Sequence, residues 1–78
     1  MTLTRKTLRP KNQGERGLWF YVDFDKNDCL VGFEEHDGYQ GGPITVPKDR
    51  KPLAYFAERA AARGATSEEI VDFLFDAG

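Results

Sequence analysis

The chain has little of what marks several common classes of protein. Its 78 residues include one cysteine, Cys29, and one histidine, His36. One cysteine excludes an internal disulfide framework and a cysteine-cluster metal site. No apolar run approaches the roughly 20 residues that cross a bilayer, and the N-terminus lacks the apolar segment of a signal peptide. We therefore expect a cytoplasmic protein with no membrane association, no metal and no cofactor.

What the chain does have is the composition of a small folded protein. Hydrophobic residues make up 40% and charged residues 31% of it, which is too apolar for a disordered chain. A chain of this length is expected to form one domain, and a core of that size typically leaves about 3 to 5 kcal/mol of net stability. Self-association as a homodimer is therefore one expected outcome.

Charge alternates along the chain although the net charge is only −2. Residues 1–17 carry +4, residues 18–42 carry −5, residues 43–64 carry +3 and residues 65–78 carry −4. Such segregation is typical of solvated faces that attract one another within a fold, and less often of a polarity for docking a partner.

Residues 18–35 predict a β-hairpin, and they hold five of the chain's ten aromatic residues. Because side chains alternate between the faces of a strand, one register places apolar residues of both arms on the same face. That register opposes Phe24 to Cys29, Val22 to Val31, Phe20 to Phe33 and Leu18 to Glu35. The other face would then carry Trp19, Tyr21 and Leu30.

The remaining segments predict one short strand and two helices. Residues 44–46 lie between two prolines, which favours a short strand at a sheet edge. Helical spacing follows from Asp49 and ends at Gly64, and Thr66 with Glu69 forms the capping box of a second helix.

These segments together predict an α+β fold in the order β-β-β-α-α. Two C-terminal helices would cover one face of a three-stranded antiparallel sheet. Residues 18–78 would form the domain, and residues 1–17 a basic flexible arm or a weak edge strand, the fourth of the sheet. The expected core is Leu18, Phe20, Val22, Phe24, Cys29, Val31, Phe33, Ile44, Val46, Leu53, Phe56, Ala60, Ile70, Phe73 and Leu74.

The hairpin turn resembles the calcium loop of the EF-hand family over 12 residues. Asp23, Asp25, Asn27 and Glu34 occupy the first, third, fifth and twelfth positions of such a loop. The sixth position, where the family loop needs glycine, is Asp28, and the flanking segments have strand and loop character instead of helical character. We interpret these residues as a polar hairpin turn.

The two predicted helices resemble the bihelical core of the helix-turn-helix family over about 20 residues. The resemblance rests on Ala60, Gly64, Ile70 and Phe73. The DNA-facing positions that it implies offer two carboxylates and no Lys or Arg to a phosphate-lined groove. These positions are Thr66, Ser67, Glu68, Val71, Asp72 and Phe75. The pattern predicts a tight helix pair and disfavours DNA reading by the second helix.

Catalysis would need convergent groups, and the sequence offers few. His36 lies between Glu35 and Asp37 in a glycine-rich segment, but no nucleophile has a recognisable context. We therefore expect that the protein is not an enzyme.

The function expected from the sequence is a small protein-interaction module, an adaptor or regulator of a larger assembly. Large aromatic residues on an uncovered sheet face are favoured anchors for protein partners. The expected partner-binding residues are Trp19, Tyr21 and Leu30 on that face, with Val71 and Phe75 as a second contact.

The alternative is a nucleic-acid-binding accessory protein that uses the basic arm. Its candidate residues are Arg5, Lys6, Arg9, Lys11 and Arg16, with Trp19 and Tyr21 as stacking platforms. A pI near 5.3 weighs against a strongly basic footprint. The arm could instead fold back over Trp19 and stack its guanidinium groups on the indole.

Overall fold

A computed structural model describes residues 3–11 and 17–75, which form one antiparallel sheet followed by two helices. The strands lie in the order β1-β2-β3-β4, so the chain has the expected α+β class with the arm as a fourth strand. None of the described helices is long and apolar enough to cross a membrane. The elements are β1 (Thr4–Leu8), β2 (Trp19–Phe24), β3 (Leu30–His36), β4 (Gly41–Pro43), α1 (Pro52–Ala62) and α2 (Ser67–Phe75).

The N-terminal arm forms the edge strand β1. It pairs antiparallel with β2, from Thr4 opposite Phe24 to Leu8 opposite Phe20. Leu8 is buried in the core, which provides an apolar anchor for a strand that is otherwise polar. Of the five basic candidates of the arm, Arg16 lies outside the described residues.

The hairpin of β2 and β3 forms, but with a different register from the one expected. Val22 lies opposite Phe33, and Phe20 lies opposite Glu35, a displacement of two residues. A shift of two keeps each side chain on its face. Phe20, Val22 and Phe33 are therefore buried as predicted.

A β-bulge reverses the faces at the start of β3. Asp23 pairs with Gly32 but Phe24 pairs with Leu30, so Val31 is the extra residue. Leu30 consequently joins the core, while Val31 and Cys29 are exposed. The predicted burial of Val31 and Cys29 is wrong, and so is the predicted exposure of Leu30.

The turn explains the pairing next to it. The Asp25 N–H donates to the Cys29 carbonyl at 2.9 Å, and one Asp25 carboxylate oxygen accepts the N–H groups of Asn27 and Cys29. Asp28 adopts the left-handed region with φ 62°. A three-residue loop that ends in a left-handed residue is a common hairpin connection, and it shifts the pairing by one residue from the predicted register. Asp25, and not Phe24, therefore faces Cys29. The bulge at Val31 adds the second residue of the displacement.

The last strand lies three residues before the predicted one. The Asp37 N–H donates to the Gln40 carbonyl, and this tight turn brings Gly41 opposite His36. Since turn length sets the register of an antiparallel pair, the glycines pair first. Residues 44–46 are outside the strand, although the Ile44 N–H still donates to the Phe33 carbonyl.

Helix α1 provides the centre of the core. Pro52 occupies its first turn, where a missing N–H costs nothing, and Gly64 with φ 103° follows its end. The Phe56 ring is fully buried against Phe20 and Phe33, at centroid distances of 5.7 and 5.4 Å. Leu53, predicted to be core, is 48% exposed.

Helix α2 begins with the predicted capping box. The Glu69 N–H donates to the Thr66 hydroxyl, and a Glu69 carboxylate oxygen accepts the Thr66 N–H. The other carboxylate oxygen accepts the Lys11 N–H at 2.9 Å. These hydrogen bonds lower the pKa of Glu69, and the bond from Lys11 joins the arm to α2.

Candidate functional site

The helices cover one face of the sheet, and we call the opposite face the outer face. Strand pairing places side chains there in rows across the sheet, because residues directly opposite one another share a face. One row runs through Trp19, His36 and Gly41, and the next runs through Tyr21 and Glu34. Trp19 and Tyr21 therefore lie on the outer face as predicted, together with the only histidine of the chain, but Leu30 does not.

Trp19 is packed into this face instead of standing open. Its ring stacks on the His36 imidazole at 5.5 Å with an angle of 7°, and Tyr21 meets it edge-on. The Arg9 guanidinium lies 5.5 Å from the centre of the indole ring, as the alternative placement of the arm predicts. The indole Nε1 is buried without a hydrogen-bond partner among the described residues, so ring contacts hold it.

Arg5 lies at the other end of the outer face, beside Tyr21. Its guanidinium donates to Asp23 at 2.8 Å and to Glu34 at 2.9 Å, and it lies 5.2 Å from the centre of the Tyr21 ring. The bond from Arg5 lowers the pKa of Asp23, and bonds from His36 and then Arg5 lower the pKa of Glu34. The same contacts raise the pKa of Arg5.

This ion network predicts a pH-dependent stability. Carboxyl groups whose folded pKa lies below the ordinary value of about 4 stabilise the fold above that value. The contribution is lost as pH falls through the folded pKa values of Asp23 and Glu34. We expect Arg5→Gln to lower the unfolding free energy at pH 6 and to flatten its decline between pH 5 and 3. Urea unfolding across that range measures both effects.

The control for this prediction is Lys6→Gln on the same strand. Lys6 projects to the opposite face, where its Nζ lies 5.4 Å from the centre of the Phe24 ring. The Lys6→Gln variant should show the same decline in unfolding free energy with falling pH as the wild type. Equal slopes for Arg5→Gln and the wild type would mean that Arg5 does not hold the two carboxylates.

The basic arm does not present one basic face. Strand alternation sends Arg5 and Arg9 to the outer face and Lys6 to the helix side. The Lys11 backbone is bound to Glu69. Because Arg5 is already paired with two carboxylates, the described part of the arm offers few cations to a phosphate backbone.

A second surface lies between the hairpin turn and the helices, and we call it the apolar groove. It is a depression of about 380 Å³. Leu30, predicted for the outer face, lies in its wall because of the β-bulge. The lining residues are Phe24, Asp28, Cys29, Leu30, Lys51, Pro52, Leu53, Leu74 and Phe75.

One of the two exposed apolar residues of α2 lines this groove. Phe75 lines it and is nevertheless 81% exposed, and Val71, one turn earlier, is 51% exposed. The two residues predicted as a second contact are therefore accessible. The sequence did not predict that Leu53 borders the groove, because its position in the helical pattern is typical of a core residue.

A polar depression of about 440 Å³ lies beside β4, but its charges are already paired. Its lining includes Glu35, Gln40 and Arg63. The Glu35 carboxylate accepts two bonds from Arg59 Nη2, at 2.8 and 3.1 Å, and lies 3.4 Å from Arg63 Nε. Within residues 3–11 and 17–75, no three His, Cys, Asp or Glu side chains cluster as metal ligands.

The described residues define a small α+β domain with an aromatic outer face and an apolar groove. Comparison of the chain with protein-family models, curated proteins and solved structures finds no match. The outer face and the apolar groove are therefore the two candidate functional surfaces.

Proposed function

We propose that this protein is a small, non-catalytic protein-interaction module, an adaptor or regulator of a larger assembly. Its docking surface would be the apolar groove, and the ligand a protein segment that presents large apolar side chains. The observation that carries the proposal is the position of Phe75, which lines a concave apolar surface while 81% exposed.

The energetic reason is the apolar area left in contact with water. Fully burying a side chain such as Phe or Leu is worth about 1.5 to 3 kcal/mol. Phe75 and Leu53 both border the groove and both stand substantially exposed. Clustered exposed apolar residues at a concave site mark binding surfaces more often than scattered ones do.

The outer face is a weaker candidate for the same role. Trp19 already packs against His36 and Arg9, and the Arg5 guanidinium lies over the Tyr21 ring. A partner would have to displace cation–π and ion-pair contacts before it reached either aromatic ring. Only part of the apolar gain would then remain, because those contacts are lost in exchange.

Selection of a peptide display library on the immobilised full chain tests the proposal. We expect enriched peptides to carry large apolar residues and to bind with micromolar dissociation constants. Leu53→Glu should weaken them about tenfold or more, since it puts a charge in the groove wall. Leu3→Glu is the matched control, because Leu3 is 50% exposed but does not line the groove.

Two results would contradict the proposal. One is a set of enriched peptides that bind the Leu53→Glu and Leu3→Glu variants equally well. The other is a complex with single-stranded RNA that weakens steeply with salt and is lost in Arg9→Ala. That second result would favour the nucleic-acid-binding alternative.

A further inference from the structure

We propose that the apolar groove accepts a second copy of this chain, in a twofold symmetric pair. The inference rests on the proposed function of the groove and names its occupant. In this pair, Phe75 of each copy enters the groove of the other.

The shape of the surface supports a symmetric pair. A twofold interface uses the same patch on both subunits, so the patch must carry both a projection and a depression. Phe75 projects from the end of α2 and at the same time borders the groove. Val71 lies one turn earlier on the same side of the helix, which extends the projection along α2.

Charge supplies the second argument. The exposed side of α2 carries Glu68 and Asp72 beside Val71 and Phe75. The approach to α1, residues 48–51, is exposed and carries Lys48, Arg50 and Lys51 against Asp49. The groove lining holds one basic residue, Lys51, and one acidic residue, Asp28, and Arg50 is bonded to Glu58. An α2 projection with an acidic flank therefore fits the net positive segment that leads into α1, and every copy of the chain has both.

The size of the chain gives the third argument. A core of this size typically leaves little net stability, and small proteins often gain more by oligomerisation. The few apolar residues at the groove make a small interface, which is typical of weak association. We therefore expect a dissociation constant of about 10 to 100 µM.

Sedimentation of the full chain from 5 µM to 1 mM tests the pair directly. The wild type should shift from monomer to dimer, and Phe75→Asp should stay monomeric over the same range. Tyr39→Asp is the matched control, because Tyr39 is 78% exposed in the turn at the far end of β3. It should dimerise as the wild type does. Circular dichroism of each variant confirms that it is folded.

A charge exchange distinguishes a second copy from any other partner. Lys51→Glu and Asp72→Lys should each weaken dimerisation roughly tenfold, because each places like charges together twice in a symmetric pair. Mixing the two variants in equal amounts should restore near wild-type association. In the mixed dimer both contacts again join opposite charges.

The remaining outcomes separate this inference from the proposed function. A wild type that is monomeric at 1 mM while the groove still binds selected peptides overturns the self-pairing and leaves the interaction module standing. A Phe75→Asp variant that still dimerises as the wild type does overturns the self-pairing through the groove. Loss of both dimerisation and groove-dependent peptide binding overturns both.

Discussion

Replacing Phe56 by alanine should unfold most of the protein at 25 °C. The Phe56 ring is fully buried and lies within 6 Å of the rings of Phe20, Phe33 and Phe73, at 5.7, 5.4 and 5.8 Å. Truncating a buried Phe to Ala costs about 3 to 5 kcal/mol. A core of this size typically supplies about as much net stability in total. The substitution therefore removes nearly all of it.

Phe75→Ala is the matched control for this result. It deletes the same atoms from a side chain that is 81% exposed, so its cost should be about 1 kcal/mol or less. Urea unfolding followed by circular dichroism measures both. The protein should be kept at low micromolar concentration, because association would add apparent stability. A Phe56→Ala variant as stable as Phe75→Ala would mean that the core is centred elsewhere.

The buried face of the hairpin could be predicted because its alternation extends over several residues. Phe20, Val22 and Phe24 face the helices in any register shifted by an even number. The start of α2 could be predicted because a capping box needs only residues three positions apart. The capping box of Thr66 and Glu69 is found as predicted. The alternation of β2 and the capping box of α2 are therefore confirmed.

The turn geometry could not be predicted from the pattern of apolar residues. Matching Val31 to Val22 gives the most apolar pairing, but Asp25 binds the N–H groups of Asn27 and Cys29, and the loop is one residue shorter than predicted. This turn brings Leu30 opposite Phe24 on the helix side, and the bulge at Val31 keeps Phe33 on that side too. The hydrogen bonds of the turn and the bulge together outweighed the apolar match, and Leu30 borders the groove because of them.

The outer face depended on contacts between distant residues. Arg5 reaches Asp23 and Glu34, which lie 18 and 29 residues away. The sequence identified Trp19 and the basic arm as candidate binding residues. It did not determine whether the arm would fold over Trp19 or leave it exposed. Only the pairing of β1 with β2 decides that Arg9 comes to lie over the indole.

Replacing Gly41 by alanine should disrupt the edge of the sheet and the aromatic row together. A methyl group on Gly41 would lie 2.6 Å from the Glu35 carbonyl oxygen and 2.7 Å from the His36 Cα, and it would also meet the His36 Nδ1. Two of these atoms belong to the backbone, so relief requires that β4 move away from β3. We expect a loss of about 2 to 3 kcal/mol of unfolding free energy.

Gly42→Ala separates this steric effect from a general intolerance of alanine in β4. A methyl group on Gly42 would have no neighbour within 4 Å, so that variant should stay within about 0.5 kcal/mol of the wild type. Because a methyl group on Gly41 would collide with the His36 ring and His36 stacks on Trp19, only Gly41→Ala should also change the fluorescence of Trp19 in the folded protein. Equal stability of the two variants, with unchanged Trp19 emission, would show that β4 does not press against His36. The packing of Trp19 on His36 would then not depend on the position of β4.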